Sequence, residues 1–435
     1  MADGEVELMQ KHVLFEHIDD PQLHNIDRAI ELGAYKAWEK VLKSVKREEL
    51  VQMVKDSGLR GRGGAGFPTG LKWSFVPVAS PKPKYLCCNA DESEPGTCKD
   101  RVLMECDPHS VIEGVMIAAF AIDCHVSFFY IRGEYDLSMR RIEKAIDEAY
   151  KKGFLGKNIL GTGYDLEMIL HRGGGAYICG EETALLSSLE GEKGLSRIKP
   201  PFPAVSGLYA CPTVVNNVET VANLPRIVMN GGQWYASMGT EKSKGTRIFS
   251  VSGHVKRPGN YELELGTPLR TLIYEYAGGM ADDKKLKCVI PGGSSVPVLM
   301  PDQLDTPLDF ESVQAAGSML GSGAVIVMNE DTCMVWIAEI LAHFYMHESC
   351  GKCTPCRQGT GWLYEILHRI EHGKGKTEDL EVLVDLSHNI EGNTICALGD
   401  AAATPVLSTI KNFRAEYEYH IQHKKCMVNS DFRLK

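Results

Sequence analysis

The chain has 435 residues, of which 44% are hydrophobic and 24% are charged, with a formal net charge of -10. This length and composition predict a globular protein of about two to four domains. The acidic balance argues against nucleic acid as a partner, because no excess of Lys and Arg is present to neutralise phosphates.

The cysteines and the hydropathy of the chain indicate the compartment in which the protein is expected and whether it spans a membrane. The 14 cysteines are scattered along the chain and no signal peptide precedes them, which indicates a reducing compartment. Residues 1–7 are acidic and contain no arginine, which speaks against a mitochondrial transit peptide. The most apolar stretch, residues 111–130, is interrupted by Glu113, Asp123 and His125, so we expect no direct membrane span.

A glycine-rich loop at residues 61–70 follows a segment of helical pattern. Apolar residues recur at helical spacing over 26–32, 37–42 and 50–54. Backbone N–H groups of the loop can approach a phosphate without hindrance from Cβ atoms. Because no strand pattern precedes the loop, it is not the standard dinucleotide fingerprint, and a flexible surface loop is the alternative. Arg60, Arg62 and Lys72 in and beside the loop supply positive charge. Phe67, Trp73 and Phe75 supply surfaces on which planar rings can stack.

Strand patterns with polar loops at their ends follow, over 85–88, 126–131 and 166–170. They alternate with helical patterns at 111–121, 138–151 and 183–189, which predicts a mainly parallel sheet with helical cover. The first strand runs into the acidic segment 89–96. The third runs into glycines that precede a helix, an arrangement that directs a helix N-terminus at an anion. Such loops bind ligands in open α/β sheets, although a solvated acidic turn is the common alternative for 89–96.

The sequence pattern changes at about residue 246 and again at about residue 331. Residues 246–330 predict a small α+β unit with strands near 248–251, 261–263, 288–290 and 324–328. From residue 331 onward, apolar stripes predict four helices, and the stripe of the second includes Trp362.

Three cysteines, Cys350, Cys353 and Cys356, repeat with two residues between neighbours in the loop after the first of these helices. This is the ligand spacing of a cubane iron–sulfur cluster. Cys396, in the loop between the last two helices, is the best candidate for a fourth ligand. Zinc is the rival metal, but zinc knuckles usually pair two arms of two cysteines. We expect a [4Fe-4S] cluster at one end of four helices.

Four motifs occur together and in order: Gly61–Trp73, Asn89–Gly96, Gly175–Thr183 and Glu348–Arg357. With them the chain closely resembles the family of NADH- and FMN-binding subunits of respiratory complex I, NADH:quinone oxidoreductase. The same module serves as the diaphorase subunit of soluble NAD-dependent hydrogenases and formate dehydrogenases. Those relatives often carry further cysteine clusters, which this sequence lacks. One departure is Cys98, where the family usually has Phe.

The resemblance implies an α/β fold class with three folded units. These are a Rossmann-like FMN and NADH domain at 58–240, a ubiquitin-like β-grasp domain at 241–330, and a four-helix bundle with the [4Fe-4S] cluster at 331–435. Residues 1–57 form an N-terminal helical approach segment before them.

The resemblance also implies the site residues. NADH would contact the loop Gly61, Arg62, Gly63, Gly64, Ala65, Gly66, Phe67, Pro68, Thr69 and Gly70, together with Lys72, Phe75, Glu94, Glu182 and Phe202. FMN would contact Gly61, Gly63, Lys72, Asn89, Asp91, Glu92, Ser93, Tyr177, Gly180, Glu181, Glu182, Val215, Asn216, Asn217 and Thr220. The cluster would be bound by Cys350, Cys353, Cys356 and Cys396. No side chain is expected to act as acid or base, because the hydride passes directly between cofactors.

As a function, the resemblance implies transfer of electrons from NADH through FMN to the [4Fe-4S] cluster. The expected partners are a small [2Fe-2S] thioredoxin-like subunit and the large iron–sulfur subunit of complex I, at the cytoplasmic face of a bacterial inner membrane. The alternative from another class is a non-catalytic scaffold with a zinc-bearing bundle and degenerate nucleotide loops.

Overall fold

A computed structural model describes residues 13–428. The acidic segment 1–7, and with it the start of the predicted approach segment, lies outside these residues. The predicted helices of that segment are confirmed as α1 (Ile26–Glu31), α2 (Lys36–Ser44) and α3 (Arg47–Asp56). Gly58 follows α3 with a φ of 65°, a left-handed conformation that glycine adopts without steric cost.

The first sheet is parallel, as predicted, with the strand order β3-β2-β1-β4. The strands are β1 (Tyr85–Ala90), β2 (Val126–Ile131), β3 (Glu167–Arg172) and β4 (Thr213–Asn217). The sequence pattern does not predict the fourth. Because all four run in the same direction, their carboxyl ends meet at one edge, and the polar loops that follow lie side by side there.

Helices surround this sheet, and they include several that the sequence pattern does not predict. Their bounds are α4 (Thr69–Ser74), α5 (Lys99–Cys106), α6 (Pro108–Ala121), α7 (Asp136–Lys151), α8 (Glu182–Leu189), α9 (Val218–Ala222), α10 (Leu224–Asn230) and α11 (Gly232–Ala236). The apolar helix α6 is buried on nearly all sides, which explains why it has an apolar composition without crossing a membrane. Within the described residues, no helix is both long enough and apolar enough to span a bilayer.

A second sheet with the order β6-β5-β8-β7 follows. Its strands are β5 (Thr246–Gly253), β6 (Gly259–Glu264), β7 (Leu286–Ile290) and β8 (Ala324–Asn329). The pairs β5–β6 and β7–β8 are antiparallel, whereas β5 and β8 are parallel. The short helix α12 (Leu269–Thr271) continues as a π-turn over Leu272–Tyr276, and it packs with α13 (Phe310–Ala315) in the core of this unit.

The predicted helices of the last region are confirmed as α14 (Met334–Glu348), α15 (Thr354–Glu371), α16 (Asp379–Ile390) and α17 (Leu398–His423). They pack around a shared core that includes Leu363, Ile366 and Ile370. Trp362, assigned from the sequence to the same apolar stripe, is 51% exposed. The buried face of α15 instead includes Gly359, where an added Cβ would lie 2.6 Å from a side-chain carbon of Ile390.

Glu262 of β6 attaches the beginning of the described chain to the second sheet. Its carboxylate accepts hydrogen bonds from the backbone N–H groups of Val13, Leu14 and Phe15 at 2.8–3.1 Å, and from the hydroxyl of Thr246 at 2.6 Å. The carboxylate is buried, so these donors satisfy a charge that would otherwise be costly in the interior.

The variant Glu262→Ala should therefore lower the free energy of unfolding by about 2–4 kcal/mol, because buried N–H groups lose their acceptor. Urea unfolding followed by circular dichroism measures this difference. Glu241→Ala, at an exposed position, is the matched control and should change stability by less than about 0.5 kcal/mol. Equal stabilities of the two variants would contradict the assignment.

Candidate functional site

A cavity of 310 Å³ lies at the carboxyl edge of the parallel sheet, within the size range of small-molecule sites. Residues from all three regions of the chain line it. They are Gly63, Asn89, Asp91, Glu92, Ser93, Glu94, Thr97, Lys99, Asp100, Tyr177, Ile178, Gly180, Glu181, Asn217, Ser295, Ser322, Cys396, Ala397, Leu398 and Ala401. The structure thus brings together the predicted motifs 89–96 and 175–183, and adds residues from loops of the second sheet and from the start of α17 with the loop before it.

The loop after β1 contributes Asn89 and Asp91. The amide of Asn89 donates to the carbonyl of Gly180 at 2.9 Å, and its Oδ1 accepts from the backbone N–H of Asp91 at 3.0 Å. Burial raises the pKa of Asp91 to about 7, and Oδ2 of this residue has no hydrogen-bond partner in the structure. Oδ1 of Asp91 accepts the hydroxyl of Ser93 at 3.2 Å, so Oδ2 is the oxygen at the cavity wall that is available to a hydroxyl or ring N–H of a ligand.

Lys99 and Asp100 of α5 form a charged floor that the sequence pattern does not reveal. The Lys99 ammonium is 2.7 Å from a carboxylate oxygen of Asp100 and 2.8 Å from one of Glu219, and the three side chains are buried. The amide of Asn217 donates to Asp100 at 2.6 Å. Nearby, Glu92 accepts the backbone N–H groups of Asp100 and Arg101. These bonds fix the polar groups before any ligand binds.

The glycine-rich loop closes on itself through a hydrogen bond from the N–H of Gly61 to the carbonyl of Phe67, at 2.8 Å. Gly63 lines the cavity, and a Cβ at this position would lie 3.2 Å from Cβ of Asn217. The guanidinium of Arg62 points into the interior, where it donates to the hydroxyl of Tyr235 and the carbonyl of Lys244. The loop backbone, rather than Arg62, therefore faces the cavity.

Lys72, Glu182 and Lys199 form an ion-pair chain beside the loop. The Lys72 ammonium is 2.8 Å from one oxygen of Glu182, and the Lys199 ammonium is 3.0 Å from the other. Burial acts to raise the pKa of Glu182, but the two ammonium groups outweigh it and hold the pKa below its ordinary value. Glu182 is thus an anion held between two cations.

The N-terminus of α8 is already occupied. The side chain of Glu181 accepts hydrogen bonds from the backbone N–H groups of Thr183 and Ala184, at 2.9 and 3.0 Å. The sequence predicts that this helix end binds an external anion. That prediction is wrong, because the chain supplies its own carboxylate as the cap.

Glu94 connects the loop after β1 to two other regions. One oxygen accepts the hydroxyl of Tyr177 at 2.7 Å, and the other accepts the N–H of Ser295 at 2.9 Å and the hydroxyl of Ser294 at 3.1 Å. The N–H of Tyr177 in turn donates to Glu348 of α14. The cavity wall is therefore held by groups from both sheets and from the helices.

Three predicted aromatic residues remain accessible. Phe67, Phe75 and Phe202 are 46%, 50% and 59% exposed, and the rings of Phe67 and Phe75 lie 6.1 Å apart. Large exposed rings beside a polar cavity offer stacking surfaces for a planar ligand.

Several other predicted residues do not line the cavity. Asn216 accepts the indole N–H of Trp73 at 2.9 Å, the carbonyl of Val215 accepts the Lys72 ammonium at 2.9 Å, and Thr220 accepts the N–H of Arg62 at 2.8 Å. These three residues support the glycine-rich loop and α4 through hydrogen bonds, without lining the cavity themselves.

The four predicted cluster cysteines share one region of packing. Cys350, Cys353, Cys356 and Cys396 belong to the same apolar cluster, together with residues of the sheet and of α8. Burial raises the pKa of the Cys356 thiol to about 11, the Ser349 hydroxyl opposes this rise, and the neighbouring thiols Cys353, Cys396 and Cys350 add to it. The Ser349 hydroxyl lies 3.2 Å from Sγ of Cys356. Four thiols in one apolar cluster supply the soft donors that an iron–sulfur cluster takes.

Family comparisons match three parts of the chain. Residues 54–226 match the Nuo51 FMN-binding domain, residues 248–299 match the SLBB domain, and residues 336–420 match the NADH-ubiquinone oxidoreductase-F iron-sulfur binding region. The first match contains most of the cavity wall, and the last contains the four cysteines.

Curated relatives match over nearly their whole length. The chain is 53% identical to the NADH-quinone oxidoreductase F subunit 2 of Rhizobium meliloti, over 96% of this chain and 99% of the relative. It is 54% identical to the NADH-quinone oxidoreductase F subunit of Mycobacterium bovis, over 95% and 94%. It is 50% identical to the F subunit of Rickettsia bellii, over 95% and 100%.

Among solved structures, the chain is similar to an NAD+-reducing [NiFe]-hydrogenase in the H2-reduced state, with a TM-score of 0.82 and 37% identity. This match covers 89% of the chain, which spans 65% of the length of that hydrogenase chain.

The buried carboxyl of Asp91 makes stability depend on pH. Its pKa is about 7 in the folded chain and about 3.9 in an unfolded one, so the folded state binds the proton more tightly. Stability is therefore lost as pH rises through this window. On flavin-free protein, Asp91→Asn should be about 2–4 kcal/mol more stable than the parent at pH 8. The gain should vanish near pH 4. Parallel pH profiles of the thermal midpoint in the two proteins would contradict this assignment.

Proposed function

The chain belongs to the family of NADH-quinone oxidoreductase F subunits, and we propose on that premise which of its residues perform the NADH dehydrogenase reaction. When bound, FMN accepts electron pairs from NADH and releases them singly, which an iron–sulfur cluster requires. The protein's own contribution is to bind, orient and separate these groups.

One observation carries the proposal. Cys396, a candidate cluster ligand, lines the same cavity as Asn89, Asp91 and Gly180. A group in this cavity would therefore adjoin the cluster without a further carrier between them. This supports a direct passage of single electrons from the flavin cavity to the cluster.

For FMN, we propose the cavity wall as the contact surface. Its predicted members are Gly63, Asn89, Asp91, Glu92, Ser93, Tyr177, Gly180, Glu181 and Asn217. Asp91 has a free oxygen for a hydroxyl or ring N–H, and Lys99 places a cation beneath the cavity. The other predicted residues act from behind this wall: Gly61, Lys72, Glu182, Val215, Asn216 and Thr220.

For NADH, we propose the outer face of the glycine-rich loop and the exposed rings. The backbone of residues 61–70 would receive phosphates, and Phe67, Phe75 and Phe202 would receive the planar rings. Glu182 would face a ribose hydroxyl, because a carboxylate repels the additional phosphate of NADPH. Glu94 would hold Tyr177 at the border between the two ligands.

The architecture supports the division into an approach segment at 1–57, an FMN and NADH domain at 58–240, a unit at 241–330 and a helical unit at 331–435. We propose that the third is a ubiquitin-like β-grasp domain, on the strength of its mixed sheet with the helical segments α12 and α13 packed in its core. We propose that the last is a four-helix bundle with the [4Fe-4S] cluster at one end.

For partners, we propose the small [2Fe-2S] thioredoxin-like subunit and the large iron–sulfur subunit of complex I, at the cytoplasmic face of a bacterial inner membrane. Support comes from the names of the curated relatives, which are subunits of a quinone-reducing complex. The competing role is the diaphorase subunit of a soluble NAD-dependent hydrogenase or formate dehydrogenase. Identity of 50–54% to F subunits along nearly their whole length favours the first role.

The direct test is NADH oxidation by purified protein with ferricyanide as acceptor, combined with FMN and iron analysis. We expect about one FMN and about four iron atoms per chain. Cys353→Ala should remove the EPR signal of the reduced cluster but retain FMN. A colourless, zinc-containing protein without NADH oxidation would favour a scaffold and overturn the proposal, as would an unchanged signal in the variant.

Glu182 allows a test of nucleotide choice. In Glu182→Gln the Lys72 ammonium loses its carboxylate partner, while Lys199 keeps its ion pair with Glu181 at 3.0 Å. The Lys72 cation should then accept the additional phosphate of NADPH. We expect the ratio of kcat/KM for NADPH over NADH to rise by about tenfold, which corresponds to about 1.4 kcal/mol. The exposed control Glu192→Gln should leave the ratio unchanged. The same ratio in both variants would remove Glu182 from the nucleotide site.

A further inference from the structure

A second group of metal-binding side chains lies in the helical unit, away from the cluster cysteines. Cys333 precedes α14, Glu371 ends α15, His420 is in the last turn of α17, and Cys426 follows α17. The cluster cysteines lie instead at the end of α14 and the starts of α15 and α17. Because α14 has 15 residues and rises about 1.5 Å per residue, roughly 22 Å of helix separates the two groups.

The ligand atoms of this second group are arranged closely. Nε2 of His420 is 3.1 Å from Oε2 of Glu371 and 3.5 Å from Sγ of Cys333, and the Cys333 sulfur is 3.7 Å from the same oxygen. Sγ of Cys426 completes a set with Cys333 and His420 within 4.8 Å. Around a tetrahedral zinc ion with bonds of about 2.0–2.3 Å, ligand atoms lie roughly 3.3–3.8 Å apart. The three separations among Cys333, Glu371 and His420 match this geometry.

The histidine is fixed in the tautomer that a metal requires. Nδ1 of His420 is 2.7 Å from the carbonyl of Glu416, and a carbonyl can only accept, so Nδ1 carries the hydrogen. In the neutral ring, Nε2 is then a bare lone pair that faces the Glu371 carboxylate. Two acceptors at this distance need a proton or a metal cation between them. A hydrogen bond from the other ring nitrogen to a carbonyl is the usual support of a metal-bound histidine.

The group is closed to solvent. His420, Cys333 and Glu371 are 0%, 3% and 4% exposed. Two sulfurs, one imidazole and one carboxylate are a donor set that favours zinc over magnesium or calcium.

We propose that Cys333, Glu371, His420 and Cys426 form a closed site for one structural Zn²⁺ ion. Binding replaces the two thiol protons, which pass to solvent, by two zinc–sulfur bonds. The ion ties the segment after α17 to the start of α14 and the end of α15, at the opposite end of these helices from the cluster.

The test is metal analysis of full-length protein that carries FMN and the cluster, purified anaerobically and equilibrated with zinc sulfate, then dialysed. We expect about one zinc per chain beside the cluster iron, and a zinc X-ray absorption spectrum with two sulfur and two nitrogen or oxygen neighbours. Four sulfur neighbours would mean that zinc occupies the cluster cysteines, and would overturn the proposal.

Variants locate the ion. Cys426→Ser changes a half-buried residue beyond the last helix, so the protein should fold, and its zinc content should fall at least about tenfold with iron and FMN unchanged. Cys426→His should restore zinc. The exposed control Cys98→Ser should retain it. The proposal fails if Cys426→Ser keeps zinc, if the parent binds none, or if mass spectrometry finds a Cys333–Cys426 disulfide in the anaerobic protein.

Discussion

One apolar cluster holds the parallel sheet against the C-terminal helices, and the function depends on this contact. Cys87 and Val215 of the sheet and Leu186 of α8 pack in it with Cys356 and Leu398 of the helical unit. Because these side chains are buried, separation of the two units would expose apolar surface at about 25 cal/mol per Å². The cavity and the four candidate cluster cysteines are therefore held in a fixed relation by ordinary hydrophobic packing.

Within that frame, the polar groups of the cavity are arranged before a ligand binds. Lys99 is buried between Asp100 and Glu219, and Glu94 is bonded on both oxygens. Such networks are stable only when nearly every member has a partner. Asp91 is the exception, with one unpaired oxygen at the cavity wall. A ligand in the cavity can supply the missing hydrogen-bond donor to this oxygen.

The sequence predicts the parts of the fold that have a periodic signal. The strands β1 to β3 are apolar runs between helices, and α14 to α17 have regular apolar stripes, so both are found within a few residues. The strand Thr213–Asn217 is missed because it is short and ends in two amides. The helix α5 is missed because it begins with Lys99 and Asp100, whose burial depends on partners far away in the chain.

The sites likewise divide into residues that the sequence predicts and residues that only the fold brings together. The cluster cysteines and the loop after β1 are local motifs that spacing alone makes recognisable. Ser295 and Ser322 reach the cavity from the second sheet, and nothing near them in the sequence indicates this. The group of Cys333, Glu371, His420 and Cys426 is likewise assembled from distant positions, so that only the packed helices bring it together.

In the proposed function, paired electrons from NADH are divided between a flavin and an adjacent cluster within this single chain. An anaerobic titration of the purified protein with NADH, followed by absorbance and EPR, tests it most directly. We expect full reduction at about 1.5 equivalents of NADH per chain, because the flavin takes two electrons and the cluster one. An end point at about one equivalent, with the cluster still oxidised despite full iron content, would contradict it.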